Sequence, residues 1–197
     1  ILLIRSVFFI IGLVLFLLST YKKKTIKIIK DAGYPALVAG LVMSLSFVAY
    51  VYSMTITSVA NVVFIISTQT MFLAIFGYLF LKEKVSLICF ISIALAISGI
   101  LIMVGDSSSS GSLLGNLVAL AIPINFSILV IIIRKNKNLD MVPAIFYSGV
   151  FSIVYGLILS ESFIFSNHDI FMGFLLGIPQ LAFGFICITI GSRTTAS

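Results

Sequence analysis

Residues 58–83, SVANVVFIISTQTMFLAIFGYLFLKE, set the structural class of this chain. Within them, residues 62–81 carry no charge over twenty positions. At about 1.5 Å per residue, a helix of that length covers the bilayer's hydrocarbon core of about 30 Å. The apolar run stops at the charged sequence KEK, residues 82–84. The stretch therefore predicts a transmembrane helix.

Three polar side chains interrupt this predicted helix: Asn61, Thr68 and Gln69. A helix that only anchors the chain avoids such groups, because lipid offers them no hydrogen-bond partner. Their positions i, i+7 and i+8 place them on one broad side of the helix. Their expected partners are neighbouring helices or a transported solute, and the sequence leaves both interpretations open.

The composition extends this interpretation to all 197 residues, of which 61% are hydrophobic and 9% charged, with a mean hydropathy of +1.29. A soluble domain of this length could not bury so much apolar surface. Seven spans are predicted, at residues 1–18, 35–54, 58–81, 85–104, 112–133, 141–159 and 170–190. We therefore predict an all-α integral membrane protein, a bundle of about seven transmembrane helices joined by short loops.

The net charge of +6 is distributed among the loops, which argues against a nucleic-acid-binding patch. Eleven of the twelve basic residues lie at alternate span ends, and Arg5 alone lies at the other ends. The positive-inside rule places the Lys-rich loops in the cytoplasm, and a prokaryotic inner membrane is the expected location. The eleven are Lys22, Lys23, Lys24, Lys27, Lys30, Lys82, Lys84, Arg134, Lys135, Lys137 and Arg193.

A faint internal repeat accompanies this charge pattern. An offset of 136 residues places Phe47 on Phe183 and Ser53 on Thr189. It also aligns the Lys-rich loop after the first span with the loop after the sixth, which has no Lys or Arg. Inverted repeats with an odd number of spans place related loops on opposite sides of the membrane. We predict a first repeat at 1–104, a linker at 105–111 and a second repeat at 112–197, with chance similarity among Ile-rich helices as the alternative.

The run TSVANVVFIISTQTMFLAIFGYLFLKEKV at 57–85, followed by ISIALAISGILIMV at 91–104, resembles the EamA-type transporters of the drug/metabolite transporter superfamily. That family has ten helices in two inverted halves of five, and the resemblance implies that this chain holds the second to the eighth. IRS at 4–6 is similar to the start of the family's second helix, and FGFICITIGSRTTAS at 183–197 to the eighth helix running into a ninth. A further segment is therefore expected before Ile1. Many relatives carry Pro in the middle of the fourth helix, where this chain has Thr68, Gln69 and Thr70.

The resemblance implies a permease or exporter that moves small organic metabolites, such as amino acids, nucleobase-like compounds or drugs, by alternating access. The expected partners are the lipid bilayer and a small-molecule solute, with a homodimer as a further expectation, and no cofactor is expected. A seven-helix receptor and a non-transporting assembly subunit are the alternatives. A retinal protein is disfavoured because no Lys follows Lys137 to form a Schiff base.

Further pathway candidates are aromatic, amide and cationic side chains within the spans. Phe47 and Tyr50 share a face at i, i+3 and could present an aromatic wall to a planar or cationic solute. An amide follows each of two mid-span prolines, which free a helix carbonyl. Arg5, five residues from a span end, is expected either to contact an anion or to snorkel outward. The candidate set is Asn61, Thr68, Gln69, Phe47, Tyr50, Asn125, Gln180 and Arg5.

Other patterns favour packing over chemistry. Small residues recur at helical spacing, including Gly173 and Gly177, and predict close helix contacts. His168 is the sole histidine and lies in a predicted loop, so no catalytic or metal site is expected. Cys89 and Cys187 lie inside apolar runs and are interpreted as buried small hydrophobes.

The predicted topology can be tested by cysteine labelling in a Cys89→Ser/Cys187→Ser background. We expect Lys22→Cys and Lys135→Cys to react with a membrane-impermeant maleimide from the same, cytoplasmic face. Ser166→Cys should react only from the opposite face. Labelling of Lys22→Cys and Lys135→Cys from opposite faces would contradict the assignment of basic loops to one side.

Overall fold

The computed structural model describes residues 2–22, 25–83, 86–105, 112–136, 141–160 and 165–194. Every regular element in these ranges is helical, which confirms the predicted all-α class. Most of the predicted linker, at 106–111, lies outside them. The helices are α1 (Leu2–Tyr21), α2 (Thr25–Asp31), α3 (Gly33–Ile56), α4 (Val59–Ser67), α5 (Gln69–Leu81), α6 (Leu87–Gly105), α7 (Leu113–Lys135), α8 (Val142–Leu159), α9 (Asn167–Leu175), a π-helical segment (Leu176–Ala182) and α10 (Phe183–Thr194).

Within the described residues, six segments are long and apolar enough to cross a membrane. They match the predicted first, second, third, fifth, sixth and seventh spans. The predicted fourth span corresponds to α6, of which Leu87–Gly99 is a shorter apolar helix by the same measure. The chain is therefore an integral membrane protein. The six segments are Leu2–Thr20, Gly33–Ile56, Val59–Leu81, Leu113–Lys135, Val142–Leu159 and Asn167–Ile188.

The chain divides into two compact units. The first unit comprises Ile1–Ser44 and Ile132–Ser197, and the second comprises Leu45–Ile131. Helices α3 and α7 each continue from one unit into the other.

In the first unit, α1 packs against α8 and the last span through glycines. A Cβ atom added at Gly156 would lie 3.0 Å from the Cα atom of Leu3. One added at Gly177 would lie 2.7 Å from the carbonyl oxygen of Arg5. The predicted packing role of these small residues is confirmed: they let helix backbones approach closely where lipid leaves no hydrophobic drive for association.

In the second unit, α3, α4 and α7 share an apolar core. Its buried members are Ala49, Val62, Ile65, Ala119 and Ile122. Tyr50 packs against this core from α3 and is only partly buried.

Helix α5 ends in a left-handed cap. Lys82 has φ +55°, and its N–H donates to the carbonyl of Gly77. The N–H of Glu83 reaches the same carbonyl at 3.3 Å. Glu83 therefore helps to close the helix through its backbone N–H, because carbonyls of the last turn lack partners within the helix.

The interpretation of both cysteines as buried is wrong. Cys89 is half-buried and Cys187 is exposed on the protein surface. Both lie on membrane-type helices, where lipid accommodates an apolar thiol as readily as a protein core does.

The glycine contacts predict different effects on stability for the same substitution at two positions. Gly177→Ala should destabilise the protein by about 1–3 kcal/mol, because the new methyl group overlaps backbone and side-chain atoms of α1. Gly184→Ala is the control, since no atom lies within 4 Å of a Cβ added there. Thermal unfolding in detergent measures both, and equal melting temperatures would contradict the packing described for α1.

Candidate functional site

Three buried polar side chains in the second unit form a hydrogen-bonded cluster. The Thr57 hydroxyl donates to Oδ1 of Asn116 at 2.7 Å. Nδ2 of Asn61 lies 3.3 Å from the same oxygen and 3.5 Å from Thr57 Oγ1. Ser58 accepts the backbone N–H of Asn61 at 3.2 Å and caps α4. Asn61 therefore makes the interhelical hydrogen bond that was one of its two predicted roles.

This cluster sets the register between two helices that run in the same direction. Both α4 and α7 begin beside it, and Val62 and Ile65 then pack with Ala119 and Ile122 further along. Thr68 comes seven residues after Asn61, and Pro123 comes seven residues after Asn116. At about 1.5 Å per residue, both lie about 10 Å beyond the cluster.

Each of these positions disturbs the backbone hydrogen bonds of its segment: the segment Val59–Leu81 is divided at Thr68, whereas α7 continues through Pro123. We call Thr68, Gln69, Pro123 and Asn125 the break layer. Thr68 is the tenth of the 23 residues of Val59–Leu81, and Pro123 is the eleventh of the 23 residues of Leu113–Lys135. The break layer therefore lies near the middle of both membrane-type segments.

At Thr68 the predicted single helix is two helices, α4 and α5. Thr68 has φ −79° and ψ 0°, and its hydroxyl donates to the carbonyl of Ile65 at 2.6 Å. Its own N–H lies 3.1 Å from the same carbonyl, three residues back instead of four. A hydroxyl that bonds back to its own helix bends it. The break occurs where the resemblance places Pro in many relatives.

Gln69 is the first residue of α5 and is half-buried. The first N–H groups of a helix have no partner four residues back and carry the positive end of its dipole. The side chain of Gln69 therefore lies beside hydrogen-bond donors in the middle of an apolar segment.

Pro123 lies at the corresponding level of α7, which continues through it as one helix. It is fully buried, and it lacks the N–H that would donate to the carbonyl of Ala119. The hydroxyl of Ser127 donates to the Pro123 carbonyl at 2.8 Å. Asn125, two residues further on, is half-buried.

The two aromatic candidates lie on α3, near the core shared with α4 and α7. Tyr50 packs on the core formed by α3, α4 and α7, next to Ala49. Phe47, one turn away, is 5% exposed. The second unit therefore contains six of the eight candidates: Phe47, Tyr50, Asn61, Thr68, Gln69 and Asn125.

The remaining two candidates lie in the first unit. Gln180 is exposed and belongs to the π-helical segment around Pro179, where the Phe183 N–H donates to the carbonyl of Ile178. Such segments within α-helices are frequent at functional sites. Arg5 is 5% exposed, so the prediction that it snorkels outward is wrong, because α1 packs against α8, α9 and the π-helical segment.

Sequence reasoning missed Thr57 and Asn116. Thr57 lies between the predicted second and third spans, and Asn116 lies within the predicted fifth span among apolar residues. One signal was available: Asn116 precedes the mid-helix Pro123 by the same seven residues that separate Asn61 from Thr68. Within the described part of the chain, no group of three His, Cys, Asp or Glu side chains is arranged to hold a metal ion.

The fold and these interrupted helices define a polytopic integral membrane protein with polar groups at the middle of its spans. The model of the EamA-like transporter family matches residues 1–105, and the chain belongs to this family. It is also similar to an uncharacterized transporter of Clostridium kluyveri, with 26% identity over 203 residues. That match covers 93% of the chain, which spans 65% of the relative's length. No solved structure matches the chain.

Loss of the hydrogen-bonded cluster should lower stability. Asn116→Ala removes the acceptor that serves both Thr57 and Asn61, and we expect a loss of about 0.6–1.7 kcal/mol, the range for hydrogen bonds between membrane helices. Asn136→Ala is a matched control at the end of α7, since the Asn136 amide donates only within its own helix, to the carbonyl of Ile132. Unfolding in detergent measures both variants. A melting temperature for Asn116→Ala equal to that of the native chain would refute the stabilising role of the cluster.

Proposed function

We propose that this protein is a small-solute transporter, a permease or exporter that moves organic metabolites across the membrane by alternating access. The observation that carries the proposal is the break layer. One helix of the second unit is divided at Thr68, and its neighbour α7 lacks a backbone hydrogen bond at Pro123, in both cases near the middle of the apolar segment. In lipid, irregular backbone is tolerated only where it is buried in protein or lines a polar cavity, and transporters use such interruptions to bind solutes.

The chemistry of the break layer indicates the kind of solute. It offers two half-buried amide side chains, Gln69 and Asn125. Amides donate and accept hydrogen bonds, whereas none of the four residues of the layer is ionisable. These groups suit a polar metabolite that is neutral or zwitterionic overall, such as an amino acid or a nucleobase-like compound. Phe47 and Tyr50 on α3 suit its planar or apolar part.

Alternating access follows from the two inverted halves proposed from the sequence, residues 1–104 and 112–197. Transporters with inverted repeats hold the solute near the bilayer midplane and expose it to each side in turn. The family match to residues 1–105 supports the first of these halves. The basic loops then face the cytoplasm of a prokaryotic cell.

Proteoliposomes that contain the complete protein test this function. They are loaded with a mixture of amino acids, nucleobases and the dye ethidium, and efflux is followed by mass spectrometry. We expect Gln69→Ala and Asn125→Ala each to slow efflux of the transported compound by about two- to tenfold, the effect of losing one neutral hydrogen bond.

Ser67→Ala is the matched control, because Ser67 precedes the break, is exposed and bonds only to the carbonyl of Phe64. Its efflux should equal that of the native chain. All three variants should unfold within about 0.5 kcal/mol of the native protein, as surface-type changes do. Native efflux rates in both amide variants would remove the break layer from the pathway.

A further inference from the structure

We propose that helix α2, together with Lys22, is a binding element for the headgroups of anionic phospholipids. The inference does not depend on transport and concerns a part of the first unit remote in sequence from the break layer. Its basis is the geometry of a short helix in a stretch that the sequence predicted to be a loop.

Helix α2 is held in place at its start. The hydroxyl of Thr25 lies within hydrogen-bond distance of two carbonyls, that of Leu17 at 3.1 Å and that of Lys22 at 2.8 Å. Leu17 lies in the last turns of α1 and is 1% exposed. This contact ties the first residue of α2 to the end of a membrane-type helix.

The other end of α2 is held as well. The N–H of Ala32 donates to the carbonyl of Ile28 at 3.0 Å, and Gly33 turns the chain with φ +57° directly into α3. The hydroxyl of Tyr147 on α8 lies 3.4 Å from the carbonyl of Ile29. Seven residues are too few for a stable isolated helix, so these contacts explain why α2 forms.

The fixed helix presents a basic face. Lys27 and Lys30 are exposed and lie at i, i+3, one turn apart on the same side. Ile28 and Ile29, between them, are half-buried, and Ala32 is 2% exposed. The element is therefore amphipathic, with Ile28 and Ile29 toward the protein and the ammonium groups of Lys27 and Lys30 outward.

The position of α2 identifies the occupant. It joins the end of one membrane-type helix, α1, to the start of the next, α3, so it lies at the depth of the lipid headgroups. Lys22, Lys27 and Lys30 outnumber Asp31, the one acidic residue of α2. Tyr34, at the start of α3, is 77% exposed, and exposed tyrosines at this depth favour the membrane interface. Lysines clustered beside a span bind anionic lipid phosphates.

Lipid titrations of the chain purified in a neutral detergent test this assignment. Phosphatidylglycerol or phosphatidylcholine is added, and binding is measured as the rise in melting temperature. The test variant is Lys27→Gln/Lys30→Gln. Its matched control is Lys82→Gln/Lys135→Gln, which removes the same charge from exposed lysines outside α2. Lys27→Arg/Lys30→Arg preserves the charge.

We expect phosphatidylglycerol to bind the test variant about thirtyfold more weakly than the native chain, about fivefold for each lysine lost. The control double variant and the arginine variant should bind it as the native chain does, and phosphatidylcholine should bind all four equally. Equal weakening in both glutamine double variants, or none in the test variant, would overturn the proposal. So would an equal stabilisation by soluble glycerol phosphate, because that result would assign the site to a free phosphate compound.

Discussion

The hydrogen bond between Asn61 and Asn116 joins two helices that lipid alone would leave free to slide. A buried amide in a membrane helix must find its partner within the protein, since no water is present to replace it. Once this bond forms, the apolar pairs beyond it follow in register along α4 and α7. The same register places Thr68 at the level of Pro123, so the break between α4 and α5 and the missing backbone hydrogen bond of α7 share one depth. A single polar contact near the helix starts therefore determines the geometry of the mid-span region.

The first unit is held together by a different physical means. Its first helix, α1, carries bulky side chains, and the neighbouring helices have glycines where they face it. At glycines such as Gly156 and Gly177, backbone atoms therefore come into van der Waals contact. Such contacts are rigid, because any added methyl group overlaps backbone atoms that cannot move aside. Directed hydrogen bonds in one unit and glycine-mediated contact in the other are the two ways in which helices associate without a hydrophobic drive.

Much of this organisation is readable from the sequence, and the limits have physical causes. Hydropathy identifies the spans, because a continuous run of about 20 apolar residues is typical of a membrane-spanning helix. Asn61, Thr68 and Gln69 could be recognised as exceptions within an apolar run. The partner of Asn61 could not, because it lies 55 residues away and the pairing depends on the packing of distant segments. Helix α2 was missed for a similar reason. Seven residues are too few to show a helical hydrophobic periodicity, and the helix is stabilised by contacts of Thr25 and Tyr147 between segments distant in sequence.

The break at Thr68 is the structural feature on which the proposed transport function rests. Interrupting a helix in lipid leaves backbone groups without partners, at a cost of several kcal/mol for each such group in hydrocarbon. The Thr68 hydroxyl engages the carbonyl of Ile65, and the Thr68 carbonyl accepts from the N–H groups of Met71 and Phe72. The chain therefore supplies hydrogen bonds to the backbone groups at the break. It does so without a proline, the residue that the resemblance places here in many relatives. A helix that only anchors the chain needs no break at mid-membrane and therefore has no use for these hydrogen bonds. A polar metabolite that passes the midplane would find hydrogen-bond partners at the break. That difference is why an amide directly after the break supports a pathway more strongly than an amide in a continuous helix.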